Sequence, residues 1–361
     1  MLFYQLKIKT KSKIIILSVS LVLALSGLYF LKKDSADGRL LIWRCTYEMI
    51  QDKPLLGYGH GGFKANYMNY QARYFAEHPD SQYAMLADNV NRPFNEYLLL
   101  LTNYGLAGFI LFLAFVWFLW HSFHRNRSKN MLVWIAGWSL LSIAVFAFFS
   151  YPLTYPFIWI MGIFSLIVII HQAKYPVKIP SIIIQSLKLM MIPVIILSCA
   201  EIYNHLSAEM LWRYCANQSL LGKTEKMLPM YEHLHKRLAN SELFLYNYAA
   251  ELNVAKQYDK SLAIAQECEK LWEDYDLQML MADNYQNMQQ YQEAEFHYIK
   301  ASNMCPVKFM PLYQLYKLYE VTGEKENALE IANKIIEKPV KVMSPTIKNI
   351  QQEIQQKLND L

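Results

Sequence analysis

Apolar residues in the first 205 positions fall into long runs that are separated by short polar segments. Five of these runs have about the length that a helix needs to cross the hydrocarbon core of a bilayer. The predicted spans are 14–31, 95–120, 131–149, 156–170 and 179–203. The fifth is the least regular, because Lys188 lies inside it and Pro193 removes a helical hydrogen bond. An interfacial helix is the alternative interpretation there.

The pattern changes after residue 206, where apolar residues recur at helical spacing and similar segments repeat every 33 or 34 residues. Matching positions carry mostly small residues, which allow paired helices to approach closely. The matched sets are Ser261, Ala294 and Ala328, then Ala265, Tyr298 and Ala332. This pattern resembles the tetratricopeptide repeat family, in which helix pairs stack into a solenoid.

The two patterns together predict an all-α chain with two domains. A polytopic helical membrane domain is expected over residues 1–205, with about five spans and a large outer loop at 32–94. An α-solenoid of tetratricopeptide-like repeats is expected over residues 206–361. Because such solenoids present extended binding surfaces, we expect a protein partner to bind through residues 207–361.

Charge indicates how the chain is oriented. The net charge is +5 at pH 7, and the basic residues gather at the ends of the apolar runs rather than on one face. No nucleic acid is therefore expected as a partner. Three loops carry these residues: Lys7, Lys9, Lys11 and Lys13, then His121, His124, Arg125, Arg127 and Lys129, then Lys174 and Lys178. The positive-inside rule makes all three cytoplasmic, so the 32–94 loop and the repeats face outward.

Candidate chemistry lies between Gly38 and Gly108, where charged, aromatic and amide side chains are interleaved. The segment GYGHGG at 57–62 lacks the GK[ST] ending of a phosphate loop. We interpret its glycines as turn residues with positive φ, and an anion bound at their N–H groups is the alternative. The five cysteines of the chain form no CxxC pair and no zinc spacing, so neither a disulfide framework nor a metal site is predicted.

Three side chains in this stretch have two interpretations each. The planar guanidinium of Arg39 suits a diphosphate, and anchoring to lipid headgroups fits its position equally well. Glu96 begins the second predicted span, where a carboxylate either stabilises the helix terminus or acts as a general base toward a sugar hydroxyl. His60 lies in the same loop, where a histidine is a candidate general acid or base, although histidines on protein surfaces are common.

Several sequence pieces occur in a characteristic order. They are Arg39 and Trp43, PLLGYGHGGF at 54–63, NEYLLLLTNYGLAGF at 95–109 and FSYPLTYPF at 149–157. Together they resemble the O-antigen ligase/polymerase family (Wzy/WaaL-like membrane proteins), over roughly residues 36–170. Some members of this family carry a tetratricopeptide-repeat tail.

The resemblance implies a multi-pass enzyme of the bacterial cytoplasmic membrane, with the repeat domain on the periplasmic side. The implied substrate is an undecaprenyl-diphosphate-linked glycan, and the enzyme is expected to contact membrane lipid. Neither a cofactor nor a metal is expected, because the diphosphate is itself the leaving group. Arg39, Glu96 and His60 are then the catalytic candidates. The substrate-binding candidates are Arg44, Asn95, Lys64 and Arg73.

The sequence departs from the family pattern at two points. Ligase-type members often carry histidine directly before the asparagine of the NEYL motif, whereas this chain has Phe94, which leaves His60 or Glu96 as the base. The family also implies further spans before the outer loop, so a truncated gene and a partner that supplies those spans are both open interpretations. The alternative function is a non-enzymatic, membrane-anchored repeat scaffold that binds a protein partner.

Overall fold

The computed structural model describes Val19, Gly27 and residues 29–126, 130–173 and 180–359. Within these residues the chain forms fourteen α-helices and no β-strand, which confirms the predicted all-α class. Most of the predicted first span, 14–31, lies outside the described residues. The same is true of most of the basic residues that predicted the orientation.

The predicted polar loop is largely helical. It contains α1 (Lys33–Asp52) and α2 (Gly62–Glu77), which pack against each other. Cys45 and Met49 of α1 and Phe63 and Tyr67 of α2 are fully or almost fully buried in one apolar cluster. Their spacing of four residues places each pair on one helix face, so the two faces can close on each other.

The apolar runs form four long helices. They are α3 (Glu96–Asn126), α4 (Met131–Ala147), α5 (Pro156–Gln172) and α6 (Ser181–Gln218). Among the described residues, two segments have the length and composition of a membrane span, Glu96–Arg125 and Lys188–Leu238. This corrects the predicted number of five. The 17 residues of α4 and of α5 extend only about 26 Å, a few ångström less than the hydrocarbon core.

Helix α3 is sharply bent at Gly105, whose φ of +60° and ψ of −163° are not helical. The rings of Tyr97 and Phe112 lie 5.8 Å apart between centroids. In a straight helix the same two positions are separated by about 22 Å. The residues before Gly105 therefore turn away from those after it. The uninterrupted part, 106–125, is about 30 Å long, which equals the usual thickness of the hydrocarbon core.

Helix pairs fill the second half of the chain. They are α7 (Thr224–Leu238), α8 (Glu242–Val254), α9 (Tyr258–Glu269), α10 (Tyr275–Asn287), α11 (Tyr291–Met304), α12 (Met310–Thr322), α13 (Lys325–Glu337) and α14 (Pro345–Asn359). The helices α9, α11 and α13 begin at the predicted spacing of 33 and 34 residues. Each is preceded at the same position by a residue with positive φ: Lys256 at 60°, Gln289 at 59° and Gly323 at 78°. The period is thus present in the structure, and the tetratricopeptide assignment stays a prediction.

The outer loop and the helix pairs share a core. Helix α2 packs against α11, and Met304 and Cys305 join the apolar cluster of α1 and α2. Gln71, which is fully buried, donates a hydrogen bond from Nε2 to the Met304 carbonyl at 2.6 Å. The boundary predicted at residues 205 and 206 falls inside α6, and the division into two domains stays a prediction.

Candidate functional site

The loop between α1 and α2 interlocks with the bend in α3. Two glycines allow the backbones to approach: a Cβ at Gly57 would lie 2.5 Å from the Thr102 carbonyl oxygen, and one at Gly105 would lie 2.4 Å from the Leu55 carbonyl. Four hydrogen bonds hold the contact: Leu106 N–H to Pro54 O at 2.8 Å, Ala107 N–H to Leu55 O at 3.1 Å, Tyr58 N–H to Thr102 O at 3.0 Å and Gly59 N–H to Asn103 O at 2.8 Å. The PLLGYG and YGLAG pieces of the sequence therefore form one structural unit.

The glycines of GYGHGG adopt the predicted turn conformation. Gly57, Gly59 and Gly61 have φ values of +67°, +86° and +76°. Gly61 immediately precedes α2. Left-handed backbone conformations of this kind are readily adopted by glycine, because it has no Cβ. This confirms the interpretation of the segment as turns.

The segment just before α3 is held by α1. The indole of Trp43 donates from Nε1 to the Pro93 carbonyl at 2.9 Å, and the guanidinium of Arg39, one turn earlier, lies 5.6 Å from the centre of the Phe94 ring. Phe94 also contacts Tyr151, with centroids 5.4 Å apart. Its φ of +54° is unusual for a bulky residue and requires support from the surrounding structure. Arg39 thus lies next to the start of α3.

Asn95 and Glu96 form the corner that follows. Asn95 Oδ1 accepts hydrogen bonds from the N–H groups of Tyr97 at 2.9 Å and Leu98 at 3.1 Å, which caps the helix. Glu96 is half-buried, and its Oε1 accepts from the Leu153 N–H at 3.3 Å in the turn between α4 and α5. The corner therefore joins the start of α3 to the turn between α4 and α5, which is distant in sequence.

An apolar cavity of about 860 Å³ lies between α3, α4 and α5. Its lining includes Trp134, Trp138 and Trp159, and its polar groups include His60 and Glu96 at the end nearest the outer loop. His60 is exposed, with Nδ1 3.1 Å from the hydroxyl of Tyr104, another lining residue. A cavity of this size is in the range of ligand sites. The structure therefore brings two of the three catalytic candidates to one cavity, whereas Arg39 lies over Phe94, two residues before Glu96.

The remaining candidates lie elsewhere, where each contacts another side chain. Arg44 and Arg73 are exposed on α1 and α2, and Lys64 is half-buried against the repeat array. Their partners are the Tyr74 ring, 4.9 Å from Arg44, the Glu48 carboxylate, 3.2 Å from Arg73, and the Glu242 carboxylate, which pairs with Lys64. None of the three lines the cavity.

Asn103 is a site residue that the sequence analysis missed. It is almost fully buried, it lines the cavity, and its Oδ1 accepts the Phe63 N–H at 3.0 Å. A lone amide within an apolar run is the sequence signal for such a role, because a buried amide needs a hydrogen-bonding partner. Asn103 thereby fixes the start of α2 against the cavity wall.

Comparison with known proteins gives one family match. Residues 1–113 match the family model described as O-antigen ligase, which points to glycan transfer or polymerisation at a membrane. The match includes Arg39, His60 and Glu96 and ends before the 149–157 segment. No curated protein matches the chain. A solved structure entitled MamA RS-1 ArsTM double mutant aligns with 40% of this chain and with 76% of its own length, at 16% sequence identity. The TM-score of 0.35 is too low to support an argument about the fold.

Proposed function

We propose that the chain transfers or polymerises a glycan linked to polyprenyl diphosphate, at the outer face of the bacterial cytoplasmic membrane. The observation that carries this proposal is the apolar cavity with His60 and Glu96 at its outer end. A polyprenyl chain is a long apolar ligand, whereas its diphosphate and sugar are polar, so one substrate matches both parts of the cavity. The similarity of residues 1–113 to the O-antigen ligase family supports the same substrate class.

In the proposed reaction a hydroxyl of the acceptor attacks the anomeric carbon of the glycan. The bond between that carbon and the diphosphate oxygen breaks, and polyprenyl diphosphate leaves. Glu96 is the first candidate for the base that takes the hydroxyl proton, because Leu153 holds one carboxylate oxygen and the other is available. His60 is the second candidate. Arg39 neutralises the charge that develops on the diphosphate.

The repeat array belongs on the same side of the membrane as the outer loop in this proposal. Helix α2 packs on α11, and Lys64 of α2 pairs with Glu242 of α8. The array therefore stands next to the outer end of the cavity, where an acceptor has to arrive. We assign the binding of a protein partner to residues 207–361 on this basis.

The test is complementation of a bacterial strain that lacks its O-antigen ligase or polymerase, with glycan ladders as the readout. Glu96→Gln and Arg39→Gln are expected to lower glycan transfer by about 100-fold or more, the usual size of a lost general base or charge-stabilising group. Lys33→Gln is the matched control, because it removes an exposed cation from the same helix at a position that is not a substrate-binding candidate. It should leave the ladder unchanged.

The alternative of a non-enzymatic scaffold gives a different result. Under that hypothesis all three variants behave alike, and a pull-down through residues 207–361 recovers the partner with each of them. Wild-type ladders from both Glu96→Gln and Arg39→Gln, at normal protein levels, would refute the site assignment.

A further inference from the structure

Two neighbouring leucines at the tip of the 53–62 loop are strongly exposed. Leu55 and Leu56 have relative exposures of 68% and 76%. The loop is fastened to α3 beside Leu106, and Ile110 follows one turn later on the same helix face. Leu106 and Ile110 are themselves 46% and 63% exposed. The exposed leucines therefore continue the apolar surface of the candidate span Glu96–Arg125.

Part of the backbone at the loop tip is hydrogen-bonded within the protein, as a position close to hydrocarbon requires. Non-helical backbone is tolerated at bilayer depth only where protein groups satisfy its N–H and C=O groups. The carbonyls of Pro54 and Leu55 accept hydrogen bonds from the N–H groups that the bend in α3 leaves available. Pro54 has no N–H of its own, and the Gly57 N–H donates to the Lys53 carbonyl at 3.2 Å. The bend and the loop thus satisfy the carbonyls of Pro54 and Leu55 and the N–H groups of Leu106 and Ala107.

The residues on either side of the leucines suit the membrane interface. Lys53 precedes them, and its Nζ lies 4.3 Å from the centre of the Tyr58 ring, which follows them. Tyr104, 42% exposed, lies directly before the bend at Gly105. Tyrosine and lysine are favoured at the level of the lipid headgroups, with apolar residues below them.

We infer that Leu55 and Leu56 insert into the outer leaflet of the bilayer as a non-helical anchor beside α3. The occupant of this surface is lipid hydrocarbon, because the surface is continuous with the candidate span and is bordered by interfacial residues. The inference rests on the membrane placement in the proposed function and not on glycan transfer. Its consequence is that His60 and Tyr104 are held at headgroup level, where the diphosphate of a lipid-linked substrate lies.

The test measures the depth of single fluorescent probes on the full-length chain in nanodiscs. Cys199 is exposed and is first replaced by serine, whereas the other four cysteines, Cys45, Cys215, Cys268 and Cys305, are buried. Burial raises the pKa of Cys45, Cys268 and Cys305 to about 12 and keeps these thiols unreactive. An environment-sensitive dye is attached to Leu56→Cys. The matched controls are Leu111→Cys, 72% exposed within the span, and Tyr47→Cys, 60% exposed on α1.

Lipids brominated in their acyl chains should quench the probes at positions 56 and 111 severalfold more than the probe at 47. Iodide in the buffer should show the opposite order. A probe at 56 that iodide reaches as readily as the probe at 47, while lipid quenches position 111, overturns the insertion and leaves the span intact. A probe at 56 shielded from both quenchers also overturns it, because protein then covers the leucines. Iodide quenching at all three positions refutes the membrane placement itself.

Discussion

Gly105→Ala is expected to detach the 53–62 loop from α3. Holding alanine in the backbone conformation of Gly105 costs about 1–3 kcal/mol, because this conformation is accessible almost only to glycine. Its Cβ would also lie 2.4 Å from the carbonyl carbon and oxygen of Leu55, which are backbone atoms and cannot rotate aside. The loop therefore has to move, and the two hydrogen bonds that its carbonyls accept are lost, each worth about 1 kcal/mol.

Together these contributions destabilise the contact between loop and helix by about 3–5 kcal/mol. Alanine also favours a straight helix at position 105 more than glycine does, which weakens the contact further. Hydrogen exchange followed by mass spectrometry measures this local stability. Because each 1.4 kcal/mol corresponds to a factor of ten, the amides of Tyr58, Leu106 and Ala107 should exchange about 100-fold faster or more.

Gly61→Ala is the matched control, since Gly61 also has positive φ but a Cβ there meets no atom within 4 Å. It carries only the conformational cost of about 1–2 kcal/mol, and the exchange of the Leu106 and Ala107 amides should change much less. If Gly105→Ala keeps wild-type protection at these amides, the interlock of loop and bend does not stabilise the site as argued.

Two further predictions concern the repeat array. Lys64 and Glu242 are each about three-quarters buried, so Lys64→Glu should repel Glu242 and speed hydrogen exchange of the Glu273 amide, which donates to the Lys64 carbonyl. The double variant Lys64→Glu with Glu242→Lys reverses the two charges and should restore protection of that amide. Failure of this rescue would refute a role for the charges. Burial raises the pKa of Glu273 to about 7, although the nearby Lys300 lowers it. The carboxyl group of Glu273 therefore binds its proton more tightly in the folded chain than in the unfolded chain. Stability should therefore fall as pH rises from about 4.5 to about 7, by at most about 3 kcal/mol, and thermal unfolding of Glu273→Gln in detergent should lack that part of the pH dependence.

The pattern of apolar residues predicted much of the fold because helices have a fixed period and membranes a fixed thickness. The repeat period appears in the structure as the starts of α9, α11 and α13. Among the described residues two candidate spans are found, where five spans were predicted for the chain. A run of apolar residues does not show where a helix bends. In the segment TNYGLAG, Gly105 is as compatible with a straight helix as with the bend that the structure has.

For the candidate site, the sequence predicted segments that the structure brings together, whereas it did not predict which of their side chains meet. Ordered motif pieces identified Arg39 and Glu96, which the structure places near each other through Phe94 and Asn95. Charge alone could not separate Arg39 from Arg44, because only the packing of α1 against the start of α3 decides which arginine approaches the corner.

The sequence by itself determined the all-α class, the helical repeat period and the turns at 57–62, since each follows from local periodicity or from the freedom of glycine. The tertiary structure alone decided the bend at Gly105, the cavity with His60 and Glu96, and the contact of Lys64 with Glu242. These features join residues that are far apart along the chain. Their energies depend on how whole helices pack, and a local pattern carries no information about that.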